Sequence, residues 1–146
     1  MSPITVTVQA NPTIALGASP SVCAGTTTAN LTYNATTGGP DQYSIDFNAA
    51  ANAAGFSDEV NVPLPSSPIG ITVPGAVAAG IYNATLSVRN SLGGCVSGVS
   101  PITVTVIANP TISLGASPTI CVGVTSANLA YSSTTGGPDR YSIDFD

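Results

Sequence analysis

Residues 2–47 return as residues 100–145 at a constant offset of 98 residues, without a gap and with 35 of 46 positions identical. Two halves of one fold do not need such identity. A tandem array does, so the chain reads as a window on consecutive units of about 98 residues. Most exchanges between the copies keep physical type, as in Val22 to Ile120 and Thr28 to Ser126, while Gln9 to Ile107 and Thr26 to Val124 do not. The triplet Ala10-Asn11-Pro12 recurs as Ala108-Asn109-Pro110, and a proline there stiffens the chain and cannot continue a strand ladder. Cutting at these triplets makes residues 1–10 the terminal strand of a preceding repeat, 11–108 one complete repeat, and 109–146 the start of the next. A three-residue junction holds neighbours at a limited set of angles, where a flexible tether would be longer and rich in Gly and Ser.

Only nine side chains are formally charged, seven acidic and two basic, for a net charge of −5. A chain so poor in cations has no electrostatic means of following a phosphate backbone, so nucleic acid is excluded as a partner. Histidine is absent, which removes histidine base chemistry and the usual zinc ligand sets. Lysine is absent too, so no serine or threonine has a base to activate it, and no catalysis is expected. No apolar run approaches the ~20 residues of a membrane span, and the opening residues lack the basic start and apolar core of a signal peptide.

Within 11–108, short apolar or alternating runs predict strands at 13–16, 29–33, 43–47, 69–73, 82–89 and 102–107, with a seventh, shorter one at 60–62. Tyr43, Ile45 and Phe47 alternate with Ser44 and Asp46, and Tyr82, Ala84, Leu86 and Val88 alternate with polar residues. Each such strand has one buried and one wet face. Turn chemistry fills the gaps: Thr37-Gly38-Gly39-Pro40-Asp41, residues 63–68, Pro74-Gly75 and residues 90–94. The alanine-rich stretch 49–56 is too short for a helix without packing and is expected as a loop or a single turn. Six or seven short strands in 98 residues predict an all-β, Greek-key β-sandwich.

Cys23 and Cys95 lie in the complete repeat, and Cys121 is the counterpart of Cys23. The period gives Cys121 a partner in the next repeat, so the odd count becomes even per unit. A Cys23–Cys95 bridge is expected, closing a loop worth about 4 kcal/mol in the chain-entropy account. Two buried free thiols are the alternative. A bridge would imply an oxidising, extracytoplasmic setting. Three N-x-[ST] triplets make Asn30, Asn34 and Asn83 candidate acceptors of covalent glycan. Asp41, Asp46 and the adjacent pair Asp58-Glu59 are read as solvated turn acids. The D-x-[DN]-x-[DN]-G spacing of a calcium loop is absent, so neither calcium nor another cofactor is expected.

The run SPITVTV, then NPTI, SP followed by Cys23, and TTGGPD-x-YSIDF together resemble the PKD-like or immunoglobulin-like tandem repeats of long secreted surface proteins of Bacteroidetes-type bacteria. The resemblance implies Ig-like sandwiches in a head-to-tail array at the cell surface or outside the cell, in an adhesin, a gliding-associated protein or a fibre. It transfers no catalytic residue. The leading expectation is a structural repeat of an extracellular fibre, stalk or filament whose partners are its neighbouring repeats, end to end. Assembly by one continuous polypeptide is favoured over insertion of a terminal strand such as residues 3–8 into another subunit. The rival expectation is an adhesin module that contacts glycan or protein through residues 49–68, the least regular segment.

Overall fold

The computed structural model describes residues 3–145, which divide into two compact units, Met1–Ile107 and Ala108–Asp146. Residues 3–10 belong to the first unit and do not form a separate body. Regular structure in both units is almost entirely β-strand.

In the first unit the strands are β1 (Thr13–Leu16), β2 (Ser21–Cys23), β3 (Thr28–Leu31), β4 (Tyr33–Thr37), β5 (Gln42–Phe47), β6 (Glu59–Pro63), β7 (Ile69–Thr72), β8 (Gly80–Arg89) and β9 (Ser100–Ile107). A short helix, α1 (Ala49–Ala53), stands between β5 and β6. The main sheet has the order β2-β9-β8-β5-β6. Its pairs are antiparallel except β2, which runs parallel to β9 with Ser21, Val22 and Cys23 opposite Thr105, Val106 and Ile107. The remaining strands form two antiparallel ladders, β1 with β4 and β3 with β7. Only Thr32 separates β3 from β4, so a nearly continuous extended stretch pairs β7 through its first half and β1 through its second.

The alternation read from the sequence decides the core. Ile45, Leu86, Val88, Val104 and Ile102 from the main sheet and Ala29, Leu31, Ile69 and Ile71 from β3 and β7 are buried in one apolar cluster. Fully burying each Leu, Ile or Val contributes roughly 1.5–3 kcal/mol, so this shared core is what holds the two strand groups together. Phe47, Phe56 and Tyr82 extend it as a chain of tilted rings with centroids 4.8 and 4.7 Å apart.

The stretch at 49–56 forms a little more than one turn because packing supplies what propensity does not. Asn48 caps it, its Oδ1 accepting the Ala51 N–H at 2.9 Å, and Ala51 and Phe56 are buried behind it. The weakest strand expectation, at 60–62, corresponds to the edge strand β6. Its register shifts between Tyr43 and Ile45 of β5, with Asn61 at a φ of 50°. Asparagine tolerates that left-handed backbone, and the irregularity together with Pro63 blunts an otherwise open sheet edge. The sequence reading did not find β2, whose three residues show too little pattern to be read.

The second unit contains β10 (Thr111–Leu114) and β11 (Tyr131–Thr135), paired antiparallel with Thr111 opposite Thr135 and Leu114 opposite Tyr131. They occupy the repeat positions of β1 and β4.

Candidate functional site

The long hairpin of β8 and β9 gives the first unit two poles. Gly80 pairs with Val106 at one end, and Leu86 with Ser100 toward the other. Ten residues of β8 span ~30 Å between them. The chain comes in at the Arg89 end, here the proximal pole, and leaves at the Ile107 end, the distal pole.

The proximal pole is a knot of turns. Asn90 is its centre: Nδ2 donates to the carbonyls of Gly38 and Gly39 at 2.8 and 3.0 Å, and Oδ1 accepts the Gly93 N–H at 3.1 Å. Asp41 completes it, its carboxylate accepting the Ser91 N–H at 2.8 Å and the Ser91 hydroxyl. Those two hydrogen bonds, hydroxyl first, hold the Asp41 carboxyl below its ordinary value of 3.8. Pro12 is buried beneath the Gly38 turn, where a Cβ on Gly38 would stand 2.9 Å from the proline Cα. Gly38 also has a φ of 70°, so both space and backbone conformation demand glycine. Gln9 lies against Gly93, and Thr7, Gln9, Leu92, Gly93 and Cys95 line one small cavity of about 340 Å³.

At the distal pole the Ala24 N–H donates to the Ile107 carbonyl at 2.8 Å, and the Thr26 N–H to that of Cys23 at 3.1 Å. Cys23 is therefore fixed beside the end of β9. This corrects the expected Cys23–Cys95 bridge. The three cysteines are free thiols, and Cys23 and Cys95 stand at opposite poles, far beyond the Cα separation of up to about 6.8 Å that a disulfide accepts. The expectation paired the cysteines by count within a repeat and had no knowledge of which end of the long hairpin each occupies. The alternative of buried thiols fails as well, since Cys23 and Cys121 are exposed and Cys95 is half-buried.

The candidate glycan acceptors Asn30, Asn34 and Asn83 are all exposed. Asn83 lines an open groove together with Asp46, Phe47, Asn48, Pro101 and Thr103. Asp58 is less free than the reading of a solvated turn acid allows, because its Oδ1 accepts the Phe47 N–H at 2.8 Å and secures the end of β5. Segment 49–68 is anchored at several points. Besides buried Phe56, the Tyr33 hydroxyl donates to the Pro65 carbonyl at 2.6 Å, and the Ser67 hydroxyl accepts the Tyr33 N–H at 3.0 Å. The Ser67–Pro68 peptide is cis.

Among the described residues no three His, Cys, Asp or Glu side chains gather as metal ligands would, and no helix is long and apolar enough to cross a membrane. What the site offers is hydroxyls, amides and backbone groups at two poles of a rigid unit. The sequence reading missed Asn90 and Ser91, whose role is visible only once the turns at 38–41 and 90–94 meet. Searches against protein-family models, curated proteins and solved structures each return no match.

Proposed function

We propose that the chain is a stretch of an extracellular fibre or stalk made of Ig-like, PKD-like Greek-key sandwiches strung end to end, as in the Bacteroidetes-type surface repeats that the sequence resembles, and without catalysis. The order in which the chain visits its two strand groups supports the sandwich: β1, then β2 in the main sheet, back to β3 and β4, over to β5 and β6, back to β7, and finally β8 and β9. Such repeated crossing is the Greek-key habit.

The observation that carries the fibre reading is the placement of the chain's incoming and outgoing ends at opposite poles of the first unit. Repetition of a unit with ends so placed advances along an axis, whereas ends at one pole would fold the array back on itself. A nearly uncharged surface rich in hydroxyls and amides suits a spacer, and glycan on Asn30, Asn34 or Asn83 would add to its hydration. The adhesin alternative draws less support, because segment 49–68 is anchored by Phe56, Tyr33 and Ser67 and does not form a free loop.

The test is the growth of length with repeat number. Chains carrying two, three and four copies of residues 11–108 should increase in maximum dimension linearly in small-angle scattering, by ~35–45 Å per copy on the strand-length scale. Growth with a much lower exponent, as for a compact particle, would refute the fibre.

A further inference from the structure

Cys23 and Cys95 do not meet within a repeat, and the placement of each bears on where a partner thiol would come from. Two independent observations lead there, and both lie in the first unit. The first is register. Cys23 on β2 is directly opposite Ile107 on β9 in a parallel pair, so both side chains project from the same face at the distal pole, where both are exposed. The second is the position of residues 3–9, which repeat the sequence of residues 101–107 with the exchange of Ile107 for Gln9. Gln9 therefore stands where the preceding repeat's last strand ends, and its side chain lies against Gly93 in the cavity that Cys95 shares.

The 98-residue period places the preceding repeat's counterpart of Cys23 opposite Gln9, as Cys23 is opposite Ile107. Residues 3–10 carry no strand here, yet Thr7, the counterpart of Thr105, lines the same cavity two residues before Gln9; when this segment pairs as β9 does, residues 7 and 9 share one face, and that face, with the preceding cysteine, is turned to Cys95. Directly opposed residues on neighbouring strands have Cα atoms ~5 Å apart. A thiol paired with Gln9 thus comes within reach of the loop that holds Cys95.

We propose that Cys95 of each repeat forms a disulfide with the Cys23 counterpart of the repeat before it, so that the bridges staple junctions and leave the interior of each unit uncrosslinked. Cys121, as the Cys23 of its own repeat, takes its partner from the repeat that follows. The step is thiol–disulfide exchange: two protein thiols lose two protons and two electrons to form one S–S bond, while the S–S bond of a small disulfide oxidant breaks to give two thiols. This inference rests on the array reading, and its test separates the two.

The chain to use carries residues 11–108 twice in succession between residues 1–10 and 109–146. After oxidation with excess low-molecular-weight disulfide and removal of that reagent, non-reducing peptide mapping should find Cys23 of the first copy joined to Cys95 of the second. The reducible bridge should disappear with Cys23→Ser in the first copy or Cys95→Ser in the second. It should survive Cys95→Ser in the first copy and Cys23→Ser in the second. A bridge between Cys23 and Cys95 of the same copy would overturn the proposal, as would a duplicated chain whose β8 and β9 amides are protected but whose junction thiols stay reduced. Scattering on the same sample reads its length, so an elongated but unbridged chain rejects the staple and leaves the fibre standing. In the chain as it is, a nitroxide on Cys95, with Cys23→Ser and Cys121→Ser, should strongly broaden the amide signals of Thr7 and Gln9. Sharp signals there would remove the seat on which the proposal depends.

Discussion

Residues 13–37 and 111–135 agree at 16 of 25 positions and stand in two different circumstances, one inside a complete repeat and one followed, among the described residues, only by residues 136–145 of its own repeat. Their hairpins agree closely. Thr13 and Thr37 share a side-chain hydrogen bond of 2.7 Å, and Thr111 and Thr135 one of 2.6 Å. The Gly17 N–H donates to the Thr32 carbonyl at 2.7 Å, as does the Gly115 N–H to that of Ala130. Gly38 and Gly136 both have a φ of 70°. The differences lie elsewhere. Residues 119–121, 126–129 and 140–145 copy β2, β3 and β5, yet form no strand. In the complete unit those strands pair with β9, β7 and β8, whose counterparts fall beyond position 146 on the 98-residue period. The β1–β4 ladder recurs in the second unit from residues at most 24 positions apart, whereas β2, β3 and β5 pair with strands much farther along the chain.

The largest effect should come from adding the later strands of the second repeat. A chain in which residues 48–107 follow Phe145 should turn residues 140–145 into a strand, with their amides changing from rapid exchange to the protection of β5 in the first unit. Unchanged exchange would mean that the repeats are not structurally equivalent. Next in size, Leu86→Ala removes a fully buried side chain and should cost about 2–5 kcal/mol in urea unfolding of the first unit. The β10–β11 amides should not respond, since that hairpin owes nothing to this core.

A smaller effect distinguishes the two glycines. Gly38→Ala forces a Cβ against buried Pro12 at a positive φ, and should destabilise the first unit by about 1–3 kcal/mol. Gly136→Ala meets Pro110 in the same way, at 3.0 Å, and should fray β10–β11 while the unfolding midpoint of the first unit stays put. Smallest is the pH dependence of the proximal knot. Because Asp41 is depressed in the fold, its contribution is fully present above its unfolded value near 3.8 and is lost as pH falls through the lower, folded value. Unfolding midpoints of the parent and Asp41→Asn should therefore differ at neutral pH and converge in strong acid.

Much of this architecture was legible in the sequence because burial on one face of a sheet writes itself as alternation. The runs at 13–16, 43–47, 69–73, 82–89 and 102–107 fall on strands for that reason. What could not be read depends on residues distant in the chain. β2 is too short to carry a period, and the extended stretch beginning at Thr28 continues past Tyr33 to Thr37 because β1 offers a second pairing partner. The cysteines show the limit most clearly. Their spacing identifies two per repeat, but the pole each one occupies depends on the direction of β2 along β9. Gln9 differs from Ile107 in character, yet nothing in its sequence neighbourhood announces its contact with Gly93.

The parallel alignment of β2 with β9 also bears on mechanical load. Tension applied to the two ends of the unit would draw residues 12–24 one way and β9 the other, along the strands and across the hydrogen bonds that join them. Bonds loaded in shear must give way together, whereas bonds at the end of a zipper open singly, so a unit laid out in this manner resists extension by cooperative rupture. Its survival under a steady pull is then set by the rate of that one event.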